Sequence, residues 1–379
     1  MSTFIQLHLL TSYPPSNLNR DDLGRPKTAV MGGKTRLRVS SQSLKRAWRE
    51  SDLFKGVVLE DSSNIGDYLG KRTKRVGFDA AKRFESARIP QTNAITWGKL
   101  IAEAFAETEA KDKNDAFKET ILKQPIHLSQ VEYKKWDALV ATICRENRAP
   151  TDNELEFLCK EHNAVDIAMF GRMLAVKGKM DLGLEGAVQV SHAITVHEVA
   201  VEDDYFTAVD DLNDGPDAAH IGEAEFAAGV FYLYVCINRD LLKENLEKKD
   251  AEKAEELASK ALEALVEAAA KVSPTGKQNS YASRAYASYV LAEKGELQPR
   301  SLSSAFLESV KGSSQLQDAI QRLEQTRNNL DGVYYGWEPV ENDNAGKEKP
   351  KVAKSLPSKK LNALTGEGSL EAIKTFITE

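Results

Sequence analysis

The stretch GGKTRLRVSSQSLKRAWRE, residues 32 to 50, decides how the chain reads. Gly32 and Gly33 mark a turn. Lys34, Arg36 and Arg38 then alternate with Thr35, Leu37 and Val39, the two-residue period of a strand that is basic on one face and apolar on the other. Ser40 or Ser41 follows, with a hydroxyl able to cap a helix N-terminus. From there QSLKRAWRE predicts a short helix, with Leu44 and Trp48 sharing one face and Lys45 and Arg49 the next. The start of such a helix offers unpaired N–H groups and a positive dipole end beside a row of cations. That combination suits a phosphate backbone. The bland alternative is a set of surface ion pairs with the acidic remainder.

Working outward, charge is distributed unevenly. Residues 1–49 hold nine Lys and Arg against Asp21 and Asp22, a net of +7 inside a chain of net charge −6, so the remainder carries −13. A basic groove on an otherwise acidic body fits that gradient. The 379 residues suffice for two or three structural units, and the 41% hydrophobic and 28% charged composition is that of a folded globular protein. No apolar run approaches a membrane span, and the N-terminus lacks the basic region and long apolar stretch of a secretory signal. Cys144, Cys159 and Cys236 are widely spaced and read as reduced, buried thiols of a cytoplasmic protein. His192 and His197 lie five apart, on opposite faces of a predicted strand, so no metal site is expected there.

TFIQLHLL, residues 3–10, predicts a strand with one face in a core, followed by a loop from residue 11. Helical periodicity dominates residues 55–185, a helical subdomain inserted between strands. Strands return at AVQVSHAITVHEVA and at FAAGVFYLYVCIN, the latter with Tyr232, Tyr234 and Cys236 on one face. About 25 polar residues lie between them, which predicts a long protruding loop or hairpin. A long helical stretch interrupted near Lys249 and Asp250, a closing strand in SRAYASYVLAE, two further helices, a charged loop and a terminal helix complete the chain. Strand, helix, strands, helix, strand is the order of a ferredoxin-like split βαβ, and the class is α+β.

Other constellations carry weaker signals. In GRML, Gly171 allows close backbone approach, Arg172 has phosphate reach, and Met173 is either a wedge between bases or a core residue. In DDYFTAVDD, Tyr205 and Phe206 read as exposed aromatics that can stack on bases or pin a hairpin. SPTGKQNSYASR marks a turn that can present Lys277 and Gln278 to phosphate. Asp21 and Asp22 are paired carboxylates that could hold Mg²⁺ for phosphodiester cleavage, or could pair with arginines.

LNRDD (18–22), GGKTRLRVSSQSLKRAWR (32–49), DIAMFGRM (166–173), SHAITVHEV (191–199) and DYFTAVDDL (204–212), in this order, closely resemble the CasC family, the guide-RNA-binding backbone subunit of the type I-E CRISPR Cascade complex. The resemblance implies a hand-shaped protein. An RRM-like, ferredoxin-like palm spans 1–55 and 185–300, helical fingers are inserted over 56–184, and a thumb hairpin projects over 196–226. C-terminal helices over 301–379 pack on the palm, with a mobile loop at 341–360. Copies line up along the guide, and each thumb displaces one guide nucleotide. The resemblance further implies RNA contacts at Arg20, Lys27, Ser40, Gln42, Lys45, Arg46 and Arg49, with Met173 beside the bases. Lys34, Arg172, Lys277 and Gln278 extend that basic set. Tyr205, Phe206, Thr207 and Val209 fall at the displaced nucleotide. Familiar members carry lysine at Arg49 and tryptophan at Tyr205. The implied role is a non-catalytic antiviral scaffold, with no cofactor and no metal. Its partners would be guide RNA, target DNA through guide pairing, further copies of itself and other Cascade subunits, with no membrane. Two alternatives stand beside it: a metal-dependent target-RNA endonuclease using Asp21 or Asp22, and a guide-independent single-stranded RNA-binding protein.

Overall fold

The structure is a computed structural model and describes residues 2–157, 164–172, 183–209, 218–246, 251–336 and 355–379. In chain order its strands are β1 (Phe4–Ser16), β2 (Thr28–Met31), β3 (Lys34–Val39), β4 (Lys71–Thr73), β5 (Ile126–Leu128), β6 (Val188–Val190), β7 (Ala193–Thr195), β8 (Glu202–Val209), β9 (Ala218–Asn238), β10 (Tyr289–Gly295) and β11 (Ser358–Asn362). The main sheet runs β11-β10-β1-β9-β7-β3-β2, with β6 and β8 also pairing with β9, while β4 and β5 form a separate ribbon. The class is α+β.

The chain divides into two compact units. One takes Met1–Phe54, Gln189–Arg239 and Leu262–Glu379; the other takes Lys55–Val188 and Asp240–Ala261. Residues 240–261, which the sequence reading puts in the palm, thus join the helical unit. The helical unit's core is built from Val76, Phe84, Ile101, Trp136, Val140 and Ile143. Within it the helix Gln130–Glu146 opens with a capping box in which Ser129 and Glu132 satisfy each other's backbone amides.

In the sheet unit β1 lies between β9 and β10, antiparallel to both, with His8 opposite Tyr234 and Leu291. Alternation in TFIQLHLL predicts one buried face. The structure buries both: Ile5, Leu7 and Leu9 on one side and Gln6, His8 and Leu10 on the other. The second face is covered by Leu302, Phe306, Ala319 and Leu323 from the 3-10 turn Ser303–Phe306 and the helix Gln315–Tyr335. Its polar groups are paired there. Tyr232 Oη and His8 Nδ1 are 2.9 Å apart, His8 Nε2 and Glu293 Oε2 3.2 Å, and Arg300 and Arg327 reach Glu293 at 3.0 and 2.7 Å. Gln6 Oε1 accepts from Tyr234 and from the Arg300 amide. A cover supplied from some 290 residues away leaves no trace in the local period of β1.

β1 also runs to Ser16, beyond the expected loop start at residue 11. Its register with β9 shifts between Tyr13 and Ser16, and β10 pairs only as far as Leu10. Pro14 and Pro15 sit at that irregularity, where no ladder amide is needed. AVQVSHAITVHEVA forms two short strands, β6 and β7, instead of one. Of the loop expected at 341–360, Ser358–Lys360 belong to β11, held to β10 by backbone pairing, and 341–354 lie outside the described residues. The interruption near 249 also lies outside them, between helices Arg239–Leu246 and Ala251–Lys271. Cys236 is buried as expected, Cys144 is only half-buried because it stands at the margin of the helical core, and Cys159 lies outside the described residues.

Candidate nucleic-acid interface

The stretch at 32–50 folds as a strand, a cap and a helix. Gly32 and Gly33 take positive φ in the turn between β2 and β3. Ser40 caps the helix α1 (Ser41–Glu50), its hydroxyl accepting the Ser43 amide at 3.3 Å. Leu44, Ala47 and Trp48 are buried and anchor one face of α1. The other face presents Gln42, Lys45, Arg46 and Arg49. Burial of its stem pushes the Lys45 pKa below the usual lysine value. Arg46, with its side chain 74% exposed, and half-buried Arg49 both lean on Glu50, at 3.1 and 3.8 Å. Exposed pairs of this kind hold a side chain by only about 0–1 kcal/mol, so a phosphate can displace Glu50.

A second wall comes from the loop after β1. Arg20 bridges back to Pro26, and Asp21 Oδ1 accepts the Leu23 and Arg25 amides at 3.0 and 2.9 Å. That carboxylate is therefore spent on shaping its own loop. Asn19 Oδ1 accepts the Ser40 amide at 2.9 Å and ties the loop to the start of α1. Between loop and helix lies a cavity of about 530 Å³, lined by Arg20, Asp21, Asp22, Arg46, Glu50 and Gly276, among others. Gly276 admits no side chain, since a Cβ would stand 2.3 Å from the Leu18 carbonyl oxygen. The loop bearing Lys277 and Gln278 is pressed onto that wall. Lys277 takes a left-handed conformation ahead of the short helix Gln278–Tyr281.

The structure brings Arg20, Lys27, Ser40, Gln42, Lys45, Arg46 and Arg49 onto neighbouring parts of one unit. Several other expectations change. Arg36 is fully buried, not on an exposed basic face, and donates to the Thr195 and Phe306 carbonyls at 3.1 and 3.0 Å. The 3-10 turn that covers this end of the sheet closes over it. Lys34 stays exposed and shares an exposed pair with Glu198 at 3.0 Å, as Arg46 does with Glu50. Gln278 uses its amide within its own loop, donating to Pro274 O and Ser283 Oγ, and so offers no donor to phosphate.

Arg172 belongs to the helical unit, where its side chain is 2% exposed. It donates to both Glu132 oxygens at 2.8 Å and to the His127 carbonyl at 3.2 Å. An isolated carboxylate could not be buried there without a cation, and Arg172 supplies it in place of reaching phosphate. Met173 lies outside the described residues.

The expected thumb at 196–226 contains a hairpin in which Glu202 pairs with Phe226 and Phe206 with Gly222; residues 210–217 lie outside the described residues. Tyr205, Phe206 and Thr207 are exposed. The Phe206 ring lies over Gly222, where a Cβ would fall 2.3 Å from it. Val209 ends β8, beyond a register shift at Ala208. The return strand β9 continues without a break into the middle of the main sheet, so the hairpin is an extension of that sheet.

Sequence reasoning missed Asn19 and His192. His192 Nδ1 accepts the Ser41 amide at 3.0 Å, a contact 151 residues away in the chain. Nothing local in SHAITVHEV signals it. Among the described residues no group of three or more His, Cys, Asp or Glu side chains converges as metal ligands would, and no helix is long and apolar enough to cross a membrane.

Comparison with known proteins fits this architecture. One chain of a solved "CRISPR RNA-guided surveillance complex, pre-nicking" is 30% identical, with a TM-score of 0.71 over 87% of this chain and 89% of that one. A chain of another "CRISPR RNA-guided surveillance complex" is 22% identical, with a TM-score of 0.66 over 99% of both, and shares the fold. No curated protein matches by sequence. The sheet unit is thus an RRM-like palm. The family model described as "CT1975-like protein" matches residues 5–373, nearly the whole chain. The chain therefore belongs to the CT1975-like family and is a CRISPR-associated protein of the Cascade type.

Proposed function

We propose that this protein is a non-catalytic, cytoplasmic guide-RNA scaffold. Copies of it assemble along the RNA with other Cascade subunits and present guide bases for pairing with target DNA. The observation that carries the reading is the cleft between the Arg20 loop and α1. It is a cavity of about 530 Å³ in which Arg20 and Arg46 stand with Asp21, Asp22 and Glu50; Arg46 is held only by an exposed pair with Glu50, and Asp21 Oδ1 is spent on backbone amides. Such a cleft engages phosphate and sugar, so the RNA is held without regard to its bases. Sequence recognition then falls to base pairing, as in other RNA-guided systems. The relatives' own complexes, named as RNA-guided, support the choice of RNA as the ligand. The hairpin, with Tyr205 and Phe206 exposed, is the element that reaches a neighbouring copy and displaces a nucleotide.

The test is to co-express the chain with a CRISPR array and its neighbouring subunits and purify through a tag on it. A protected RNA of one defined length, held by several copies of the chain, is the expected result. Recovery of the chain alone, or with RNA of random length, would overturn the scaffold reading. Mg²⁺-dependent cutting of a complementary RNA, abolished in Asp21→Ala or Asp22→Ala, would overturn the non-catalytic part.

A further inference from the structure

The first residue of α1 is fixed from outside the helix. His192, in the turn between β6 and β7, accepts the Ser41 amide on Nδ1 at 3.0 Å. An imidazole nitrogen that accepts a hydrogen bond carries no proton, so the neutral ring bears its N–H on Nε2. Two cations act on this ring through their charge: Arg38, on β3, and Lys27, from the loop before β2. Neither has an ion-pair partner among the described residues. Tyr232 lines the same small cavity as His192, but its hydroxyl is committed to His8 Nδ1 and the Leu302 amide. The rest of that cavity is apolar or hydroxyl-bearing, from Met31, Ile194, Phe306, Ser301 and Ser303, and the charge that acts on His192 is positive, from Lys27, Arg38 and the N-terminal end of the ten-residue helix.

We propose that His192 is a positioning residue of the RNA track: its neutral ring holds the start of α1, and with it Gln42, Lys45 and Arg46, through the Ser41 amide. The proposal rests on the RNA-track reading above. It also makes the track acid-sensitive. Protonating Nδ1 would set N–H against N–H at 3.0 Å and add a third positive charge to the cluster. Burial, Arg38 and Lys27 already hold the His192 pKa below its ordinary 6.5. The sign follows from that direction. The unfolded chain takes up the proton first, so stability begins to fall as the pH drops below about 6.5, while the bond to Ser41 itself lasts until the pH passes the lowered folded-state value.

Two variants separate the parts. His192→Asn keeps an acceptor near Nδ1 and does not titrate; His192→Leu has no acceptor. The first readout uses no RNA: hydrogen-exchange protection of the Ser41 amide, at pH 7.5 and 4.5. We expect wild type to lose protection at the lower pH, His192→Asn to keep it at both, and His192→Leu to lack it at both. The second readout is affinity for a single-stranded RNA. His192→Leu should bind about two- to tenfold more weakly at pH 7.5, the equivalent of removing one hydrogen bond, and His192→Asn within about twofold of wild type. Equal protection in all three proteins at both pH values overturns the positioning role whatever the RNA does. The expected protection pattern without RNA binding by any of the three overturns the RNA-track reading instead.

Discussion

The two units agree in how they hold buried cations and differ in how their exposed ones are partnered. In the sheet unit, Arg46 and Arg49 lean on one exposed glutamate, and Lys27 and Arg38 have no ion-pair partner among the described residues. In the helical unit, basic residues are equally dense in sequence, as in GKRTKR at 70–75, and each of those named next has a partner, mostly an exposed one. Lys74 pairs with Glu109, Arg75 with Asp79 and Arg83 with Asp137; Lys71 lies 4.2 Å from the Tyr133 ring, and Arg172 is locked to Glu132 in the interior. Density of Lys and Arg is therefore a poor guide to an anion site. What separates one cation from another is how much it costs to remove its present partner: about 0–1 kcal/mol for exposed Arg46 or Arg75, and far more for Arg172 on its buried glutamate.

Breaking the buried pair should give the largest effect. Glu132→Ala leaves Arg172 charged and buried without a carboxylate. We expect a loss of about 3–5 kcal/mol in denaturant unfolding of the helical unit. A loss under about 1 kcal/mol would erase the contrast between buried and exposed pairs. Next comes Arg20→Ala with Arg46→Ala. Charge-assisted bonds contribute about 1.5–3 kcal/mol each before non-additivity, and the variant should lose RNA affinity on that scale. Its unfolding free energy should move by no more than about 0.5 kcal/mol, as for surface changes. The salt dependence should also flatten, by roughly 0.7 in log–log slope for each phosphate that is no longer neutralised. An unchanged slope would mean these arginines are structural after all.

The pH dependence of the covered sheet face is a third test. His8 is fully buried, and burial holds its pKa below the ordinary value despite Glu293. A histidine that stays neutral when folded but takes up a proton when unfolded costs stability as the pH falls through about 6.5. Wild type should therefore lose stability between pH 7.5 and 5.5. His8→Gln, which still offers a donor to Glu293 but does not titrate, should lose less. Matching profiles would show that His8 does not govern this window. The smallest expected effect is Phe206→Ala. Its cross-strand packing on Gly222 is exposed, and such pairs contribute about 0.2–1 kcal/mol. A larger loss in monomer stability would make Phe206 a core residue.

The sequence revealed elements whose causes are local. The cap at Ser40, the amphipathic face of α1 and the placing of Tyr232 with Tyr234 on one face of β9 all follow from spacing within a few residues. It misled where a distant segment decides the outcome. Arg36 looks identical to Arg38 in an alternating strand, but Phe306, 270 positions away, closes over the first and not the second. Gln6 and His8 look like the wet side of β1 until Glu293, Arg300 and the 302–323 segment are placed on them. Arg172 reads as a phosphate ligand because nothing near it in sequence announces Glu132. The candidate site was legible in the loop at 18–22 and in α1, which carry their own turn and cap chemistry. His192 was not, since its role depends on where β7 brings it.

β9 has a mechanical consequence. It is one strand of 21 residues, about 70 Å at the usual rise, and it serves both as the hairpin's return leg and as the neighbour of β1 at the heart of the palm. The hairpin therefore behaves as a cantilever clamped along half its length, not as a tether. A sideways load at Phe206 passes along β9 in shear and is resisted by the whole β1 ladder. If such beams set the step from one copy to the next, the pitch of the array is fixed by backbone geometry, and small changes of side chain on the hairpin alter its grip but not its ruler.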